Sequence, residues 1–145
     1  MYRLMALLIL VPYALFSGIL MSGCAEKKTD EALILAQIET LQAAIESHER
    51  GKFMAVVDEQ YHDQLKNDRQ SLQRMLMGFF FRYKDISVYV SATQISIQQI
   101  RADAQSQVVV TGGKNLLPES ARHYQVHSCW KKVSDEWLLS CLEWE

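Results

Sequence analysis

At Asp85 the apolar residues of this chain change period, and that change limits the fold more than any other feature of the sequence. Before it, Ile34, Ile38, Leu41 and Ile45 recur at intervals of four, three and four residues, which is one stripe of an amphipathic helix. Leu72, Met75, Leu76, Phe79, Phe80 and Tyr83 repeat that spacing further on. After Asp85, Ile86, Val88 and Val90 alternate, as do Ile95 and Ile97, which is the period of a strand with one buried face. Helices followed by antiparallel strands predict an α+β domain, in which a helix layer covers one face of the sheet.

The boundaries follow from local chemistry. Thr29 or Asp30 can cap the first helix and Gly51 ends it. Lys52 to Tyr61 reads as a second, short helix, and Asn67 and Asp68 are cap-like before a third. The run Phe79-Phe80-Phe81 is apolar all round, so the third helix is expected to be enclosed. The parity of the apolar residues shifts between Val90 and Ile95, which predicts a β-bulge near Ser91 to Thr93. A turn is expected around Arg101 to Asp103, then a strand from Gln107 to Thr111. Gly112 to Ser120 is read as a loop, in which Leu116 and Leu117 either pack on the sheet rim or cover a pocket or partner. Residues 122–133 and 137–144 form the closing hairpin.

Ahead of the domain, one early cation at Arg3 precedes an apolar stretch from Leu4 to Leu20 and the small pair Ser22-Gly23. A transmembrane helix is the alternative reading, since that stretch approaches the length needed to cross about 30 Å of hydrocarbon. Pro12 and the small-residue ending favour a signal peptide. Leu20-Met21-Ser22-Gly23-Cys24 resembles the lipobox of bacterial lipoproteins. That resemblance implies cleavage after Gly23, acylation of Cys24, and a membrane lipoprotein facing the periplasm. Ala25, which is not Asp, points to the outer membrane within the same resemblance. The organisation expected is therefore a signal peptide over 1–23, a lipidated tether over 24–30 and a single domain over 31–145.

With Cys24 assigned to lipid, Cys129 and Cys141 remain as a pair in an oxidising compartment. A three-residue loop at Ser134-Asp135-Glu136 would pair Val133 with Trp137 and set Cys129 opposite Cys141, whereas a two-residue loop would place them on opposite faces. A disulfide is expected, with two buried free thiols as the alternative. The same register faces His127 toward Glu143, so four potential zinc ligands share one hairpin face. Knuckle spacings are absent and the compartment favours the disulfide, so no metal and no cofactor is expected.

The whole pattern over residues 31–144 resembles the nuclear transport factor 2-like superfamily, including its SnoaL-like members. The likeness lies in the order of elements, in Gly51-Lys52-Phe53 at a helix end, and in the aromatic closing hairpin with Trp130, Trp137 and Trp144. It implies a bent sheet wrapped around a helix into a cone with an internal pocket, and dimerisation through the sheet; a cystatin-like helix on a sheet is the alternative. Enzymes of that superfamily use an Asp or His base beside a Tyr, for which Asp58, Tyr61 and His62 are the candidates here. Tyr83, Leu116, Leu117, Trp130 and Trp144 are the expected pocket or rim residues. With 15 Lys and Arg against 17 Asp and Glu and no basic run, the charge balance excludes nucleic acid as a partner. The sequence thus favours a membrane-anchored, non-enzymatic module binding a small apolar ligand or a periplasmic protein; a small isomerase- or cyclase-like enzyme using Asp58 or His62 is the alternative.

Overall fold

The computed structural model describes residues 28–113 and 121–145. The signal peptide over 1–23, the lipidation site Cys24 and the loop leucines Leu116 and Leu117 lie outside the described residues.

The first helix, α1 (Asp30–Glu46), starts where the sequence indicates: Thr29 Oγ1 accepts from the Ala32 amide at 3.2 Å. Asp30, assigned above to the tether, is its first residue. The end differs from expectation. His48 takes φ 57° and breaks the helix three residues before Gly51, which instead falls inside the short α2 (Arg50–Ala55). His48 is held there by packing and hydrogen bonding, since its Nε2 lies 2.9 Å from the Tyr83 carbonyl and its ring sits 4.9 Å from that of Phe80.

The expected helix from Lys52 to Tyr61 is the largest departure. Only its first residues are helical; β1 (Val57–Asp63) follows and pairs in parallel with the last strand. Val56 and Val57 are β-branched, and the Leu139 amide donates to the Val56 carbonyl at 2.8 Å. An otherwise open edge of β5 thereby gains a partner, and that tertiary demand overrides a local pattern that reads equally well as helix. The third helix, α3 (Arg69–Arg82), is capped by Asp68, whose Oδ1 accepts from the Ser71 amide at 2.8 Å. That bond holds the Asp68 carboxyl below the ordinary range. The helix is not enclosed: Leu72 and Leu76 are buried, but Phe81 is 83% exposed, because only one face meets the rest of the domain.

The strands β2 (Asp85–Gln98), β3 (Arg101–Gly113), β4 (Ala121–Val133) and β5 (Glu136–Trp144) complete a mixed sheet in the order β1-β5-β4-β3-β2. The bulge in β2 is where the parity shift puts it: Ser91 pairs Gln107, the next pair is Gln94 with Gln105, and Ala92 has φ 49°. The turn into β3 lies at Gln99 and Ile100 rather than at Arg101 to Asp103, which already belong to the strand.

The β4–β5 hairpin reaches the expected cysteine pairing by another route. Its loop has two residues, Ser134 and Asp135, both with positive φ (47° and 68°), and Val133 pairs Glu136. A register shift between Trp130 and Cys129 then restores the frame, so that Cys129 does face Cys141. The two are joined in a disulfide with Cα atoms 4.8 Å apart. One bulge offsets one missing loop residue, and both arrangements put the sulfurs on the same face.

Candidate functional site

The concave side of the sheet faces α1 and α3 across a cavity of about 410 Å³. Its walls derive from the strand alternation. Val88 and Val90 of β2, Val108 and Val110 of β3 and Val126 of β4 point inward, while Ile38, Leu41 and Ile45 of α1 and Leu76 and Phe79 of α3 close the opposite side. Val88 is buried against α1, whereas Val90, Val108, Val110 and Val126 are half-buried along the cavity. Trp130 and Leu139, 1% and 0% exposed, form the floor, and Trp144 lines a side wall. The volume lies within the range of small-molecule sites.

The polar atoms of this wall are mostly engaged with one another. Gln42 Nε2 donates to the Val88 carbonyl at 2.7 Å. Ser106 Oγ is 2.9 Å from Thr93 Oγ1, and Ser128 Oγ accepts from Trp130 Nε1 at 2.9 Å. Tyr124 completes the polar set. No Asp, Glu, His, Lys, Arg or Cys is among the described lining residues. General acid or base chemistry requires a titratable group at the substrate, and among the described lining residues Tyr124 is the one side chain of that kind.

The residues singled out in the sequence divide accordingly. Trp130 and Trp144 line the cavity, and Tyr83 lines an adjoining hollow of about 420 Å³ at its outer end. Asp58, Tyr61 and His62 sit on β1 and line neither. Asp58 is buried and accepts from the Gln60 amide at 2.8 Å, closing a local turn of its own strand. His62 is exposed, with Nδ1 3.4 Å from the Gln60 carbonyl. Tyr61 is 2% exposed and its hydroxyl has no hydrogen-bond partner among the described residues. Burial first, and the neighbouring Asp63 carboxylate second, push that hydroxyl well above the ordinary tyrosine range. Asp63 itself accepts from the amides of Leu65 and Asn67 and from Asn67 Nδ2, which organises the turn into α3.

On the hairpin, His127 lies 3.0 Å from Asp103 and 3.6 Å from Glu143, an exposed cross-strand cluster on the outer face. Asp103, His127 and Cys129 could converge on one ion, but the Cys129 sulfur is committed to Cys141 and is not a free thiolate. The inward valines and the outer-end residues Arg82 and Arg122 were not singled out from the sequence. The alternation that carries the valines was visible; which alternate residues face the helices depends on the β2 bulge and on the strand order.

No family model and no curated protein matches this chain in sequence. Its fold is shared with solved structures. An assigned dehydratase of the NTF2-like family from Streptomyces avermitilis superposes with a TM-score of 0.69 at 10% identity, over 79% of this chain and 94% of that one. A protein with a cystatin-like fold from Nostoc punctiforme gives 0.68 at 12% identity, over 80% and 90%. Bd1075 of Bdellovibrio bacteriovorus gives 0.67 at 15% identity, and there the matched region is 77% of this chain and 38% of that one. The α+β architecture with helices on a bent mixed sheet is therefore of the NTF2-like and cystatin-like kind.

Proposed function

We propose that this domain is a non-enzymatic binding module for a small apolar ligand, held at a membrane facing the periplasm by lipid on Cys24. The observation that supports it is the composition of the cavity: about 410 Å³ walled by valines, leucines, isoleucines and aromatics, with no carboxylate, imidazole or amine among the described lining residues and Tyr124 as their one titratable side chain. Burying an apolar ligand there removes its surface from water at about 25 cal/mol per Å². The dehydratase assignment of the Streptomyces avermitilis relative keeps proton-transfer chemistry as the rival reading. In this chain the carboxylate and imidazole candidates for that rival, Asp58 and His62, sit on β1 outside the cavity wall.

An apolar fluorescent dye such as Nile red tests the proposal. The wild-type domain is expected to bind it with a blue-shifted emission. Val108→Phe, which fills the cavity from β3, is expected to abolish binding, while Asp58→Asn and His62→Ala leave it unchanged. Dye binding that survives Val108→Phe in a folded protein would move the site elsewhere and overturn the reading. The anchor has its own test: Cys24→Ser is expected to release the protein from the membrane fraction.

A further inference from the structure

The outer end of the cavity differs chemically from its interior. Arg82, in the last turn of α3, and Arg122, at the start of β4, both line the hollow of about 420 Å³ that meets the apolar cavity at Phe79, Val110 and Tyr124. They are the only charged side chains among the described residues of that hollow, and neither is in an ion pair among the described residues. The chain as a whole carries a formal charge of −2, so a doubly cationic mouth runs against its average. Tyr83 and Tyr124 line the same mouth. The Tyr83 ring is set close to the β3 backbone because Gly112 has no side chain, since a Cβ there would stand 3.3 Å from Tyr83 Cδ1.

Two guanidinium groups facing one hollow repel each other unless an anion lies between them, and planar guanidinium forks suit an oxyanion. Resting on the apolar-ligand reading above, we infer that the occupant is a single-chain amphiphile ending in an oxyanion. Its hydrocarbon tail lies along the valine wall toward Trp130, and its head sits between Arg82 and Arg122. A neutral apolar molecule would fill the cavity and leave both cations without a counter-charge from the ligand or from the described residues. A cationic amphiphile would meet repulsion at the mouth.

Decanoate, decyl phosphate and decanol share one tail and differ in the head, so their affinities separate the two parts of the site. Both anions are expected to bind about tenfold more tightly than decanol, the scale set by two partly solvated ion pairs. The tighter of the two identifies the head as carboxylate or phosphate. Raising the salt concentration is expected to shrink this preference. Arg82→Gln combined with Arg122→Gln should erase it while leaving decanol affinity within about twofold, the spread expected when only solvated polar groups at the mouth are exchanged. Equal affinity of all three ligands for the wild-type protein overturns this inference and leaves the apolar-ligand reading standing. Failure of all three to bind overturns both. If the double variant loses decanol affinity as much as anion affinity, the arginines shape the fold rather than receive the head, and the inference falls.

Discussion

The two ends of this sheet use the same alternating pattern for opposite purposes. Toward the β4–β5 turn, Trp137, Leu139, Ala102 and Ala104 interdigitate with Ile34 of α1 until all are buried. A polar clasp secures that end: Asp30 Oδ1 accepts from Lys132 Nζ at 2.7 Å and from Trp137 Nε1 at 3.1 Å. Toward the opposite end, Val90, Val108, Val110, Leu142 and Trp144 also point inward, yet they are only half-buried and enclose empty space. The lesson is one of fit across the layers. Alternation decides which residues face inward, and what stands opposite them decides whether the interior is solid or hollow: the room left by Ala102 and Ala104 is taken up by Ile34, Trp130 and Trp137. Tight packing is concentrated at one end, and the cavity lies at the other.

That division is tested most severely by truncation. Trp137→Ala, at a side chain 1% exposed, is expected to cost about 3–5 kcal/mol in urea unfolding. Val108→Ala, where the side chain already borders a void, is expected to cost about 1 kcal/mol or less. Comparable losses at both sites would break the comparison, because they would mean that the cavity wall is as well packed as the closed end.

Next in size is the disulfide. Cys129→Ala with Cys141→Ala opens a ring whose ends are 12 residues apart, and the chain-entropy model gives about 2–3 kcal/mol. The hairpin holds part of that order in the unfolded chain, which lowers the figure. The variant is expected to unfold at lower urea and still bind dye, since neither cysteine lines the cavity. Loss of dye binding in the folded variant would show that the two ends are coupled.

The same contrast explains what could be read from the sequence. The stripe from Ile34 to Ile45, the Asp68 cap and the β2 bulge were legible because each depends on residues close in the chain or on a strict period; the Cys129–Cys141 pairing was expected from a three-residue loop and is reached through a two-residue loop and a compensating bulge. β1 was not, because Val56 to Tyr61 becomes a strand only when the edge of β5 is there to pair with it. That error carried the candidates Asp58, Tyr61 and His62 onto the wrong element. Arg82 and Arg122 are 40 positions apart and line one hollow only through the packing of α3 against the sheet. Trp130 and Trp144 were legible as inward residues, but whether they filled or bordered a cavity depended on the valines opposite.

A smaller effect sharpens the closed end. Asp30→Ala removes the acceptor shared by Lys132 and Trp137 and leaves a buried indole N–H without it, at an expected cost of about 1–2 kcal/mol. Both side chains of the pair are partly buried, with exposures of 24% and 35%, which limits screening, so added salt should recover little of the difference between variant and wild type. An unchanged unfolding midpoint would reduce the clasp to an ordinary surface ion pair.

The smallest effect at neutral pH belongs to Tyr61. Its hydroxyl is buried without a partner among the described residues, so Tyr61→Phe removes an uncompensated polar group and is expected to be neutral or stabilising by up to about 1 kcal/mol. The pH dependence is more diagnostic. Burial raises the hydroxyl's titration above that of the unfolded chain, where tyrosine ionises near 10. The folded state therefore keeps a proton that the unfolded state releases. Stability is fully present below pH 10 and falls as the pH rises beyond it. Tyr61→Phe should remove that part of the alkaline loss, so the wild-type and variant curves, parallel at neutral pH, diverge above pH 10 with the variant the more stable. Curves that stay parallel there would mean that Tyr61 is solvated in the native protein, and that the tight packing ascribed to the closed end does not extend to β1.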